Sequence, residues 1–214
     1  MKQTSNLTEL DFISHGFYDA RDSQTVMKPI LMNQVHSVDA VFITDRQDNL
    51  PVDALITQTP GLNLTVKTAD CAPVLLADST SRMVAAIHAG WRGAFQGIIE
   101  NTVLQMIRHG ANISTLRAGI GPHIQIQSFE ISPDIKALFP ATENHFFTEE
   151  NGKIFFDFDS YVIHRLKRAG VSSIESIGDD TYSDSAYNSF RRDKTKIRQF
   201  SSIMITGGSN GINQ

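Results

Sequence analysis

Short strand-like apolar runs interleaved with amphipathic helical stretches predict a mixed domain, α/β or α+β, without fixing its topology. Two further observations bound that class. The chain has 214 residues, 41% hydrophobic and 20% charged, which suits one well-buried core better than two very small ones. It contains a single cysteine, so no intrachain disulfide is possible and a disulfide-stapled secreted scaffold is excluded.

The apolar runs at residues 40–44, 62–67, 73–77, 83–88 and 116–120 read as strands, with others near 153–156 and 200–205. Over residues 94–108, Phe95, Ile98, Ile99, Thr102, Val103, Met106 and Ile107 recur at the helical period and form one apolar stripe, which Gly110 ends. Ser132, Pro133 and Asp134 make a helix start: a capping hydroxyl, a proline at the first helical position and an acid near the positive end of the dipole. Residues 159–169 carry a second stripe through Tyr161, Val162, Arg165, Leu166 and Ala169, with Gly170 after it. No repeat or linker interrupts the chain, so a single domain over residues 1–214 is expected, with the small, polar stretch 206–214 as a frayed tail.

Nineteen Lys and Arg against 23 Asp and Glu give a net charge of −4, and no basic run tracks a phosphate backbone. Nucleic-acid binding is therefore disfavoured. The first residues, MKQTSNLTELDF, lack the apolar core of a signal peptide, and no stretch approaches the roughly 18 apolar residues of a membrane span. The expectation is a cytoplasmic protein with no membrane partner, monomeric at this size.

Two strings concentrate the chemistry: Thr68-Ala-Asp-Cys71 and His88-Ala-Gly-Trp-Arg-Gly93. The strands between them are placed to bring Cys71 and His88 together. A strand, glycine turn and helix over 83–108 would aim backbone N–H groups and the charged fork of Arg92 at one place, where an anion is the natural guest. Cys71 taken singly is a small buried hydrophobe, and His88 an ordinary strand-end histidine. With His36, read at the start of another strand, they offer two imidazoles and one thiolate, a donor set that suits zinc and leaves a fourth position for water. Spacing alone leaves both readings open. His15, His109, His123, His145 and His164 show no comparable grouping, and His123 reads as a solvent-exposed loop residue.

The strings NQVHSVDA, DALITQTPGLNLTVKTADCAPVLLAD, AAIHAGWRGAFQGIIENTV, AGIGPHI and SFRRDK occur in order, with sixteen residues between Cys71 and His88. This set resembles the YfiH/laccase-domain family, also called the polyphenol oxidase family, over about residues 15 to 205. The resemblance implies an α+β fold, one compact domain of mixed β-sheets flanked by helices, similar to that of toxin deamidases. It implies a metal site of His36, Cys71 and His88, loaded with zinc or with copper. It also implies purine nucleoside phosphorylase activity on adenosine, inosine or methylthioadenosine, with adenosine deamination and copper-dependent phenol oxidation as further activities. The substrates would be a purine nucleoside and phosphate.

On this resemblance Cys71, His88 and Arg92 are the catalytic candidates, and Gln34, Gly90, Arg92 and Arg191 the phosphate and substrate candidates. Arg192 is read either beside Arg191 in anion binding or as tied to Asp193 in solvent. The sequence departs from the family where His15-Gly-Phe-Tyr-Asp-Ala-Arg21 is followed by few residues before Met32, which predicts a shortened pocket wall. His123 and Asp180 stand where the family has other residues, Asp180 in place of a cysteine that is not a metal ligand. Two alternatives stand beside the phosphorylase: a metal-free hydrolase or deamidase with Cys71 as nucleophile and His88 as base, and a homologue that binds metal without turnover. His36 separates them, because a Cys–His pair has no need of it.

Overall fold

A computed structural model describes residues 1–207. The strands are β1 (Ile13–Phe17), β2 (Pro29–Leu31), β3 (Ala40–Phe42), β4 (Ala54–Thr57), β5 (Asn63–Thr68), β6 (Ala72–Asp78), β7 (Met83–Ala89), β8 (Leu116–Ile120), β9 (Glu130–Ile131), β10 (Phe147–Glu150), β11 (Lys153–Phe156), β12 (Ser173–Ser176) and β13 (Gln199–Ile205). The helices are α1 (Ser5–Thr8), α2 (Trp91–Gln96), α3 (Ile98–Arg108), α4 (Pro133–Lys136), α5 (Phe158–Arg168) and α6 (Phe190–Asp193).

A six-stranded sheet in the order β12-β8-β6-β7-β4-β3 lies at the centre. A four-stranded sheet, β1-β13-β5-β2, and a three-stranded one, β10-β11-β9, complete the fold. Parallel pairs (β3 with β4, β8 with β12, β2 with β5) sit among antiparallel ones, so the class is α+β with mixed sheets, as predicted.

The reason β6 and β7 read as unbroken apolar runs is that both faces of the central sheet are covered. Val74, Leu76, Ala85 and Ile87 pack with Ile98, Val103 and Tyr161 of α3 and α5 in one core cluster. Leu75, Ala77, Val84 and Ala86 point the other way, into a second cluster with Leu64, Val66 and Ile203 of the four-stranded sheet. Alternation along each strand thus feeds two cores.

The predicted helix over 94–108 is two helices. Gly97 has φ 108 and separates α2 from α3. The stripe is continuous in sequence because both segments present apolar residues to the same cluster. Gly110 and Gly170, at φ 99 and 94, end α3 and α5 as predicted. Pro133 opens α4, which is a single turn, and no side-chain bond from Ser132 caps it. Of the predicted tail, Thr206 still donates its N–H to Phe12; residues 208–214 lie outside the described residues. No described helix is long and apolar enough to cross a membrane.

Candidate metal centre

β6 and β7 run antiparallel with Ala72 opposite Ala89 and Pro73 opposite His88, so Cys71, one residue ahead of β6, meets the far end of β7. Asp70 makes the bend with a left-handed backbone, φ 83. Its carboxylate accepts from Thr181 Oγ1 at 2.8 Å and from the Arg191 N–H at 2.6 Å. A non-glycine residue in that region costs on the order of 1 kcal/mol, which these two bonds help to offset.

His36 reaches the same point from the loop between β2 and β3. It is not at a strand start, as its sequence suggested; its own φ is 59, which no strand accommodates. The donor atoms of His36, Cys71 and His88 all lie within 4.8 Å of one another, and the two imidazole centroids are 4.8 Å apart at 60°.

Asp53, fully buried just ahead of β4, ties the two histidine-bearing segments together. Its Oδ1 lies 2.7 Å from His88 Nδ1. Its Oδ2 accepts from the N–H of Val35 at 3.2 Å, the N–H of Ser37 at 2.6 Å and the Ser37 hydroxyl at 3.0 Å, the residues on either side of His36. Burial alone would raise the Asp53 pKa, but the bonds from His88 and Ser37 outweigh it and hold the carboxyl below its usual range. For His88, burial pushes the other way, yet Cys71 and the Asp53 carboxylate beside it carry its pKa up to about 9. His36 is held below its ordinary value by desolvation and by the neighbouring His88, with Arg92 and Arg198 acting in the same sense against Asp53.

Gly90 leaves the room these groups need. A Cβ there would sit 2.5 Å from His36 Nδ1 and 3.3 Å from Cys71 Sγ. Two imidazoles and one thiolate are a zinc-type donor set, and a carboxylate on the outer nitrogen of a ligating histidine is the partner that fixes its tautomer and raises its basicity.

The family described as multi-copper polyphenol oxidoreductase laccase matches residues 19–206. The chain belongs to this family. A Rickettsia prowazekii protein named a purine nucleoside phosphorylase is 36% identical over 170 residues, 76% of this chain and 70% of the relative. The Escherichia coli purine nucleoside phosphorylase YfiH is 34% identical over 183 residues, 83% of this chain and 74% of that protein. The crystal structure of Neisseria meningitidis protein NMB0706, of family DUF152, matches at TM-score 0.77 and 30% identity, covering 87% of this chain and 78% of that one. Bacillus licheniformis YfiH matches at TM-score 0.76 and 26% identity, covering 89% and 76%.

In this laccase-family chain the trio opens on a cavity of about 1040 Å³ with Trp91, Phe129, Phe158, Phe190 and Phe200 in its walls. Arg92 enters it with its guanidinium 4.4 Å over the Trp91 ring. The glycine turn expected at residues 90–93 is absent: α2 begins at Trp91, Gly90 is its N-cap, and the helix stops after six residues. A six-residue helix contributes little dipole at that turn, which leaves the cationic side chains as the candidates for anion binding there. Gln34 lines the wall, but its amide is committed to the main chain of Lys67, donating to the carbonyl and accepting from the N–H, both at 2.8 Å.

The two candidate arginines separate. Arg191 lines the cavity, fixed by Nη1 donating to the Glu130 carbonyl at 2.7 Å and lying over Phe129. Arg192 turns away to Asp193 and to the carbonyls of Thr181, Tyr182 and Tyr187. His123 is fully buried rather than exposed. Its Nδ1 lies 2.8 Å from the Gly121 carbonyl, and its loop is tied to Asp180, which accepts from the Gln125 N–H and the Ser128 hydroxyl. Sequence reasoning missed Asp53 and Ser37, although the acid directly ahead of the apolar run Ala-Leu-Ile was a signal for a buried carboxylate. It missed β4 as well, the strand that carries that acid to the site.

Proposed function

We propose that this protein is a metal-dependent purine nucleoside phosphorylase whose resident metal is zinc. The observation that carries the reading is the convergence of His36, Cys71 and His88, backed by Asp53, beside a cavity with aromatic walls and cationic side chains. The family relatives named purine nucleoside phosphorylase support it. His36, Cys71 and His88 would hold the metal, and when bound it supplies a positive centre that polarises a purine atom or activates water, the second being what adenosine deamination requires.

The remaining work belongs to the chain itself. Phosphorolysis joins a phosphate oxygen to the ribose C1′ as the C1′–N9 bond breaks and the purine leaves with the electron pair and gains a proton. Arg92, open to the cavity, and Arg191, immobilised by Glu130, are the two guanidiniums that pair with phosphate and hold it in line. The aromatic walls take the purine and exclude water from the reacting bond. Gly90 serves by its lack of a side chain, and Gln34 by anchoring β5.

Copper competes well for the same donor set, so phenol oxidation is proposed only as a side activity of copper-loaded protein. A laccase proper needs several coppers, whereas the described residues contain one such cluster. A second reading is favoured by one observation: Cys71, His88 and Asp53 form a nucleophile, base and orienter, with Asp53 Oδ1 at 2.7 Å from His88.

The test is metal analysis of protein purified without added metal, followed by incubation with inosine and adenosine, with and without phosphate. Stoichiometric zinc and phosphate-dependent base release, both lost in Cys71→Ala and His36→Ala, are expected. Full activity of His36→Ala on an amide or ester substrate would overturn the metal reading in favour of the thiol one.

A further inference from the structure

Six cationic side chains line the cavity, Lys67, Arg92, Arg191, Lys194, Lys196 and Arg198, against one carboxylate, Asp70, in a chain whose net charge is −4. Asp70 offsets at most one of the six charges, and its oxygens are held by the Thr181 hydroxyl and the Arg191 main chain rather than by a cationic side chain. Among the described residues none of the six forms an ion pair with a carboxylate, whereas the neighbouring Arg192 does so with Asp193. A cluster of like charges left unpaired repels itself and is retained where an anionic guest neutralises it.

One inorganic phosphate accounts for Arg92 and Arg191. Lys67, Lys194, Lys196 and Arg198 remain. Lys67 is opposite Phe200 in the β5–β13 register, and Arg198 and Lys196 lie two and four residues ahead of Phe200. Lys67, Lys196 and Arg198 therefore share one end of the central β5–β13 pair and the strap that leads into β13, a cationic rim of the cavity.

The rim is built to stay in place. Gln34 clamps the main chain of Lys67, and Arg198 Nη1 donates to the carbonyls of Thr195 at 2.7 Å and Ile197 at 2.9 Å. Phe200 and Phe190 stand among the same residues as faces for a base or sugar.

We propose that this rim is a second anion subsite and that the preferred substrate is a purine nucleoside carrying its own phosphate, a nucleoside 5′-monophosphate; the inference rests on the phosphorylase reading. The reaction balances as for the nucleoside. Orthophosphate bonds to C1′, the C1′–N9 bond breaks, the purine takes the electron pair and a proton from solvent, and the sugar leaves as a pentose 1,5-bisphosphate. The 5′-phosphate takes no part in bond making and contributes binding alone.

The experiment compares inosine with inosine 5′-monophosphate in zinc-loaded protein, with orthophosphate saturating in every assay so that only the substrate-borne phosphate differs. The expected result is a kcat/KM for the monophosphate about ten-fold or more above that for inosine, from two charge-assisted contacts. The double variant Lys67→Ala/Lys196→Ala should lower the monophosphate value by about ten-fold and leave inosine within about two-fold. Equal values for the two substrates, or an equal loss on both in the variant, would overturn the proposal. Trp91, the single tryptophan, lines the cavity and reports binding by fluorescence without turnover. If neither compound is cleaved, the phosphorylase reading fails. Tighter monophosphate binding that the double variant abolishes would then still support the subsite, and equal binding of the two compounds would sink it.

Discussion

Two buried histidines in this protein, His88 beside the cavity and His15 in β1 under the N-terminal turn, are 4% and 3% exposed. Their environments drive them in opposite directions. Burial holds the His15 pKa down to about 4, outweighing the upward pull of Glu175, a carboxylate that itself accepts from the Ser5 and Asn6 main chain and the Ser5 hydroxyl rather than from His15. His15 accepts a single N–H bond from Thr4 at 3.2 Å and behaves as a packed neutral ring. At His88 the same burial is outweighed by Cys71 and by Asp53 in direct contact. What distinguishes the proposed metal-site histidine from the packing one is a buried carboxylate that touches it.

Removing that carboxylate is the strongest way to break the comparison. Asp53→Ala strands His88 beside Cys71 without its partner and also frees the loop on both sides of His36. We expect a loss of about 3–5 kcal/mol in metal-free protein, the range for breaking a buried charged pair, read by urea unfolding. Zinc stoichiometry should fall in the same variant. Unchanged unfolding would mean that Asp53 and His88 are not coupled as drawn.

The opposite arm of the comparison is tested by acid. His15 is neutral when folded down to pH about 4 but protonates near 6.5 when unfolded, so between those values the unfolded chain binds more protons. Stability therefore rises with pH through that window and is lost as pH falls through it, by up to about 3 kcal/mol for a shift of this size. His15→Asn should flatten that slope in unfolding curves measured at pH 7.5, 6 and 5. An unchanged slope would assign the acid sensitivity elsewhere.

The contrast also explains what was legible in the sequence. Strands β6 and β7 could be read because they are long apolar runs buried on both faces, β8 because Leu116, Ala118 and Ile120 alternate along it, and α5 because its stripe and Gly170 agree. The trio could be named because the strings that carry His36, Cys71 and His88 resemble the laccase-domain family; local sequence suggested only that one hairpin brings Cys71 and His88 together at its open end. What could not be read depends on contacts between distant segments. Asp53 is 35 residues from His88 and 16 from Ser37, and nothing local says that it faces either. His123 reads as a loop residue, yet the loop is folded under Asp180 and against Phe158. The break at Gly97 escaped because apolar periodicity runs straight through a glycine whose φ only the structure reveals. The cationic rim escaped because Lys67 and Lys196, far apart in sequence, come to one cavity only through the β5–β13 pairing that sets Phe200 against Lys67.

Gly90→Ala sharpens the comparison from the steric side, since it changes the space around the trio and leaves Asp53 untouched. The added Cβ would stand 2.5 Å from His36 Nδ1, so the ring or the start of α2 must shift. Overpacking of this kind costs about 1–3 kcal/mol. The loss should appear in zinc affinity, measured by competition with a chromogenic chelator, more than in thermal stability, because His36 is exposed and can move. A larger effect on the melting temperature than on zinc would place the strain in the fold instead.

The smallest expected effect comes from Ser37→Ala. The hydroxyl is one of four donors to Asp53, and the Ser37 N–H, Val35 N–H and His88 remain to hold the carboxylate. The Asp39 N–H also loses an acceptor, 3.1 Å away, but it lies in an exposed turn where water replaces it. Losing one neutral hydrogen bond of this kind is worth about 1 kcal/mol, so zinc affinity should fall by a few-fold, well short of the Asp53→Ala loss. That gap is itself informative. Equal losses in the two variants would mean that Asp53 acts mainly through the His36 loop, whereas a small Ser37 effect beside a large Asp53 effect puts its weight on His88.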